Sequence, residues 1–333
     1  MADPSTGVGR GEAAGGGQIC VRVGEAGVAA AAVAFGVASA LTVLALRGLT
    51  PADMLVVELG GSTLVFALAA AATGHLHSHG AARAMAQGVM LPGLTWPLEN
   101  LGLARTTATS GSLLLGAETL VTVSLAVLVL RERLVAASAI ALILGLTGTG
   151  LVAVGAGGTD HRAGDQIVGD LLVIAAVLCS AVYVVWLRRT PHSSAEGLAV
   201  TAWQFAGSTL TVGPYVVASW ANQGSHFTTA KPGELVAALA VLGSTMAAMA
   251  AFNRSISSVS ASRAGLVFSL QPIAGAITAV VVLGEPLRAR TTIGGALIVL
   301  GVVVIARPTL TAPRWFANAF SRPVGSQHET KTS

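Results

Sequence analysis

Long stretches without a single charge constrain this chain more than any other feature. Residues 26–46, 134–159, 197–230, 235–253 and 264–284 contain no Asp, Glu, Lys or Arg. A helix needs about 20 apolar residues to cross about 30 Å of hydrocarbon. Backbone amides in lipid must pair within the chain, so each run is read as a helix. Ten candidate spans follow, at about 25–46, 52–72, 84–104, 107–130, 135–154, 168–187, 197–217, 234–253, 261–283 and 290–306. A hydrophobic fraction of 53%, a charged fraction of 10% and a mean hydropathy of +0.74 exclude an ordinary soluble domain, whose wetted surface needs roughly 25% charged residues.

The spans repeat. Leu130-Arg131-Glu132-Arg133-Leu134 matches Leu283-Gly284-Glu285-Pro286-Leu287 at a shift of 153 (285 − 132 = 153). The same shift carries Asn100 to Asn253, Glu118 to Gln271, Val127 to Val280 and Gly148 to Gly301 without a gap. Self-similarity of this kind marks a duplicated unit. Gly155, Gly157, Gly158, Asp160, His161, Arg162 and Asp165 cluster between the copies. The expected organisation is a flexible leader (1–23), a first five-helix repeat (24–154), a linker loop (155–167), a second five-helix repeat (168–307) and a disordered, cytoplasmic, proline-containing tail (308–333). Five spans per copy, an odd number, turn the second copy upside down in the bilayer. The expected fold class is therefore an all-α polytopic membrane protein of ten transmembrane helices in two inverted five-helix repeats, an architecture usual among secondary transporters.

The net charge of +4 does not call for nucleic acid, because its distribution has a membrane explanation. With a cytoplasmic N-terminus, thirteen Lys and Arg fall inside and six outside. That excess is the positive-inside bias, and it places both termini in the cytoplasm. The leader lacks the basic start and short apolar core of a cleaved signal peptide. Cys20 and Cys179 lie in the leader and in a span, so no disulfide framework is implied.

On these residues the chain resembles the drug/metabolite transporter superfamily, specifically its EamA-type members. The resemblance rests on the five-plus-five layout and on the short acidic turns at Glu132 and Glu285 after the fourth and ninth spans, and it covers about 25–306. It implies a multi-pass carrier of the bacterial inner membrane, often an exporter of amino acids or related metabolites, with a central cavity lined largely by spans three, four, eight and nine.

Polar groups inside hydrocarbon are costly, at about 2.5–3.5 kcal/mol for an acid near the centre on insertion scales, and so should face the bundle interior. Glu118, near the middle of span four, shares a helical face with Gly111, Leu114 and Thr122. A carboxyl there that loads and releases a proton suits proton coupling; interhelical hydrogen bonding is the bland alternative. Its equivalent Gln271 precedes Pro272, whereas Thr119 follows Glu118, so span four is expected to be straighter than span nine. Trp96 and Glu99 follow Pro92 at i+4 and i+7 in span three, beside Asn100. That spacing suggests a kinked cavity wall, unless Glu99 simply reaches water at the outer interface. Asn253 is expected to bridge helices. Gln204 in span seven and Tyr183 in span six are further lining candidates, while Ser208, Thr211, Tyr215 and Cys179 are read mainly as packing. Glu58 is a third buried acid, placed nearer the outer end of span two. Gly145, Gly148, Gly294 and Gly301 suggest close helix contact.

His75, His77 and His79 alternate in one loop, but no Cys or acid completes a metal site, and neither a metal nor a cofactor is expected. The expected partners are the lipid bilayer, a small-molecule substrate and a coupling proton; a homodimer is allowed. An intramembrane enzyme would need paired aspartates, a Ser–His pair or HExxH on a helix, and none is present. A sugar-phosphate or nucleotide-sugar exchanger needs midspan basic residues, which are missing. A sensor or scaffold on a transporter fold is the rival from another class.

Overall fold

The computed structural model of the 333-residue chain describes residues 9–72, 80–118, 120–122, 125, 136–155, 163–188, 197–255, 267 and 270–306. Secondary structure among the described residues is entirely helical. In chain order the helices are α1 (Gly9–Ala45), α2 (Pro51–Ala72), α3 (Ala81–Met90), α4 (Thr95–Leu103), α5 (Ala108–Gly116), α6 (Ala136–Gly155), α7 (Ala163–Arg188), α8 (Gly197–Gln223), α9 (Pro232–Ser255), α10 (Leu270–Leu283) and α11 (Ala289–Ala306). Among the described residues, four segments are long and apolar enough to cross a membrane: Gly24–Ala45, Pro51–Ala72, Gly164–Tyr183 and Pro232–Met249. Shorter apolar helices occupy Ala139–Val152, Leu270–Leu283 and Ala289–Val304.

Local chemistry sets several boundaries. Thr50 caps α2 by accepting from the Asp53 amide at 3.2 Å, and Asp53 accepts back from the Thr50 amide at 3.0 Å, with Pro51 at the first helical position. This reciprocal box satisfies amides that a helix start leaves unpaired. Thr107 caps α5 through the Ser110 amide at 3.1 Å. Helix α1 begins at Gly9 rather than near 25, so helix runs through part of the stretch expected as a leader. Once nucleated, a helix propagates at little cost through residues such as Glu12, Ala13 and Ala14.

Span three differs from a single kinked helix. It is two helices, α3 and α4, separated by a turn at residues 91–94. Pro92 has no amide proton to donate, and Gly93 lets the backbone approach the Gly88 carbonyl at 2.8 Å. In span four α5 ends at Gly116, where the ring of Pro272 lies against the glycine; the parts of spans four and nine that would decide which is straighter lie largely outside the described residues. The proline lost from span four acts on it from the other repeat.

Packing follows the duplication. Helix α1 lies against α9 and α10, while α7, its repeat equivalent, lies against α3, α4 and α5. The equivalent pairs α2–α8, α5–α10 and α6–α11 pack on each other. Helix α5 runs antiparallel to α10, since Ala108 meets Glu285 while Gly116 meets Pro272. Helices α6 and α11 are likewise antiparallel, with Gly148 against Gly294 and Ala141 against Gly301. A Cβ at Gly294 would lie 2.7 Å from the Gly148 carbonyl oxygen, so glycine is what permits this approach. Between helices in lipid, close packing rather than water exclusion holds the contact. Large apolar side chains point outward instead, with Val281 76% and Leu210 67% exposed. An outer surface of Leu, Ile and Val around an interior rich in Ala and Gly suits a hydrocarbon solvent.

Candidate substrate cavity

Where the two halves meet, the helices enclose two adjoining chambers of about 420 and 170 Å³. Phe35, Trp96, Glu99, Leu115 and Glu118 line both, so the chambers form one cavity with a waist. The larger side adds Ser180 and Tyr183 from α7 and Gln204 and Phe205 from α8. The smaller adds Ser39 and Thr42 from α1, Glu58 from α2, Asn100 from α4, Thr245 from α9 and Gln271 from α10. The lining is therefore wider than spans three, four, eight and nine. The break between α3 and α4 accounts for part of this, because it lets Trp96 reach the α2–α8 interface. There Phe205 stacks on Phe66 at 5.4 Å and takes the Trp96 ring edge-on at 5.6 Å.

Three carboxylates face this cavity. Glu118, just beyond the end of α5, accepts a hydrogen bond from the Ser180 hydroxyl of α7 and so joins the two repeats. Glu58 sits in a π-helical turn of α2, Val56–Gly60, and accepts from Asn100 Nδ2 at 2.7 Å. Such turns often mark functional positions, because the extra residue re-aims a side chain. Glu99 accepts no hydrogen bond among the described residues and shares the smaller chamber with Glu58 and Glu118. Asn100 is 2% exposed, and its Oδ1 has no partner among the described residues. On the larger side Gln204 Nε2 donates to Tyr183 Oη at 3.2 Å and to Gln87 Oε1 at 3.3 Å.

The residues singled out from the sequence converge. Trp96, Glu99 and Glu118 line both chambers, Tyr183 and Gln204 the larger, and Gln271 the smaller. Glu118 and Gln271, equivalent under the repeat, thus face one space. Asn253 lies on α9, but its side chain falls outside the described residues. Glu58, read from the sequence as a third buried acid nearer the outer end of span two, is buried and lines the smaller chamber. Span seven divides, for Ser208 is buried and bonded to its own helix at the Phe205 carbonyl, while Thr211 and Tyr215 face outward. Sequence reasoning missed Phe35, Ser39 and Thr42; the i, i+3 pair of hydroxyls on an otherwise apolar span was the available signal. The His75–His79 tract, Glu132 and Arg263 lie outside the described residues.

Away from the cavity, three further carboxylates tie one end of the bundle together. Asp53, fully buried, accepts from Trp220 Nε1 at 2.9 Å, Ser225 Oγ at 3.2 Å and the His226 amide at 3.3 Å. Asp170 accepts from Thr106 Oγ1. Glu285 accepts from the Ala108 and Thr109 amides at 2.7 and 2.9 Å and from Thr109 Oγ1 at 2.8 Å, so the acidic turn of the second copy caps a helix of the first. A carboxylate on the orphan amides of a helix start is favourable in both hydrogen bonding and charge. Helices α2 and α4 run antiparallel, Asn100 meeting Glu58 and Trp96 nearing Phe66, which puts the Asp53 cluster at the same end as Ala108.

Comparison with known proteins bears on the whole chain. Residues 22–154 and 167–307 each match the EamA-like transporter family. A protein known from its crystal structure superposes with a TM-score of 0.56 at 19% identity, covering 83% of this chain and 94% of its own. That likeness concerns the fold alone. No curated protein sequence matches.

Proposed function

Because this chain belongs to the EamA-like transporter family, a family of multi-pass membrane proteins, we propose that it is a secondary-active carrier of the bacterial inner membrane. It exports a small metabolite, such as an amino acid or related compound, by alternating access. Ten spans in two inverted repeats, with both termini cytoplasmic, carry out the exchange between faces. The antiparallel pairing of equivalent helices α5–α10 and α6–α11 supports the inversion, since parallel copies would place equivalent helices parallel. The observation that carries this reading is the meeting of Glu118 and Gln271, one from each repeat, in a single enclosed chamber. A site on the pseudo-symmetry axis is where rocking of one half against the other changes access from side to side.

Glu118 is the proton-linked group. Its bond from Ser180 crosses between the repeats, so a change in its protonation alters a contact between the moving parts. Proton-gradient-driven flux in proteoliposomes should lose its dependence on the gradient in Glu118→Gln. Gradient dependence equal to wild type would remove Glu118 from the mechanism. A sugar-phosphate exchanger fits poorly, because no Lys, Arg or His lines either chamber among the described residues.

A further inference from the structure

We infer that the cavity binds its substrate as an organic cation, a protonated amine or guanidinium on an apolar or aromatic body, held by the Glu99 carboxylate and Asn100 Oδ1. This deepens the carrier reading and rests on it. Three carboxylates face one enclosed space, and no basic side chain lines it among the described residues. At short range and low dielectric, like charges repel strongly, so a carboxylate- or phosphate-bearing ligand would add to the repulsion. A zwitterion would satisfy one acid and leave its own carboxylate facing the others. A monocation pairs with one acid and brings no negative charge of its own to the others.

The hydrogen-bonding inventory selects the partners. Glu58 is engaged by Asn100 and Glu118 by Ser180, whereas Glu99 accepts nothing and opens on both chambers. Asn100 is almost completely buried, yet its Oδ1 has no donor among the described residues. An unsatisfied buried acceptor is costly, and its remedy is an N–H group, which an ammonium or guanidinium carries and a carboxylate does not. Asn100 donates one of its two Nδ2 N–H groups to Glu58, which fixes the amide orientation and leaves Oδ1 as an unfilled acceptor among the described residues. Beside Glu99, Trp96 and Phe35 offer aromatic surface shared by the two chambers, suited to an apolar body and to cation–π attraction. The proton-linked role stays with Glu118, and substrate charge is read by Glu99.

The test uses the purified full-length protein in liposomes with a proton gradient and three probes of matched body: benzylguanidinium, permanently charged and rich in N–H groups, L-phenylalanine, and phenylacetate. Flux is measured against protein-free vesicles. Benzylguanidinium should move about tenfold or more faster than the other two, in line with the strength of charged hydrogen bonds. Glu99→Gln should lose that flux, and Glu99→Asp should keep part of it, while both variants elute as monodisperse protein. Transport of phenylalanine or phenylacetate without the cation overturns the inference and leaves the carrier reading standing. So does cation flux in Glu99→Gln equal to wild type. Absence of flux for all three also overturns it, and protein-dependent proton movement then decides the carrier reading separately.

Discussion

At the scale of single residues, the cavity is a problem in hydrogen-bond supply. Glu58 receives a hydrogen bond from Asn100, 42 positions along the chain and on another helix. Replacing Asn100 by Leu removes the donor and leaves the carboxylate buried beside an apolar group. The expected cost is about 1–3 kcal/mol, read as a lower thermal unfolding midpoint in detergent. The double variant Glu58→Leu/Asn100→Leu should recover much of that loss, because neither polar group is then stranded. Additive losses in the double variant would show that the two side chains do not act as a pair. The acids themselves were legible in the sequence, since a carboxyl within an apolar run is conspicuous. Their bonding was not. That Glu58 lines the cavity from a π-helical turn, Val56–Gly60, leaves no mark in composition.

At the scale of elements, glycine decides which helices meet. Gly148 and Gly294 face each other across α6 and α11, each filling the space a side chain would need. Gly294→Leu should force the two helices apart, with overpacking costing about 1–3 kcal/mol or more, and should lower the yield of monodisperse protein. Gly150→Leu, also on α6 but with nothing within 4 Å of its missing Cβ, should be tolerated. Equal behaviour of the two variants would refute glycine-mediated packing at this pair. The spacing of these glycines was visible in the sequence, but spacing alone does not name the partner helix. Elements also departed from expectation where one repeat acts on the other. Helix α5 ends at Gly116 with Pro272 of the other repeat lying against it, and α5 owes part of its cap to Glu285. The repeated acidic turn was evident as a motif; that it serves as a helix cap for the opposite repeat required coordinates.

At the scale of the whole molecule, the proposed topology makes a directional claim. The Asp53–His226 cluster and the Glu285–Ala108 clasp lie at one end, which the charge distribution assigns to the outside. In a cysteine-free background, single cysteines at Thr229 and Arg288 should react with an impermeant maleimide added to intact cells. A cysteine at Ser194 should react only after permeabilisation. Labelling of Thr229 and Arg288 from opposite sides would dismantle the inverted arrangement. Much of the architecture was decided before any folding. Charge-free runs of membrane length dictate helices, since lipid offers backbone amides no other partner. A constant shift of 153 residues with an odd number of spans per copy then dictates two bundles of opposite sense. What only the tertiary structure decided is which polar groups share a space. Helical periodicity orients a side chain about its own axis but says nothing of the neighbour it meets, and the cavity draws on helices from both repeats. Its acids, its unpaired amide oxygen and its lack of basic residues became a single chemical environment only when those helices packed.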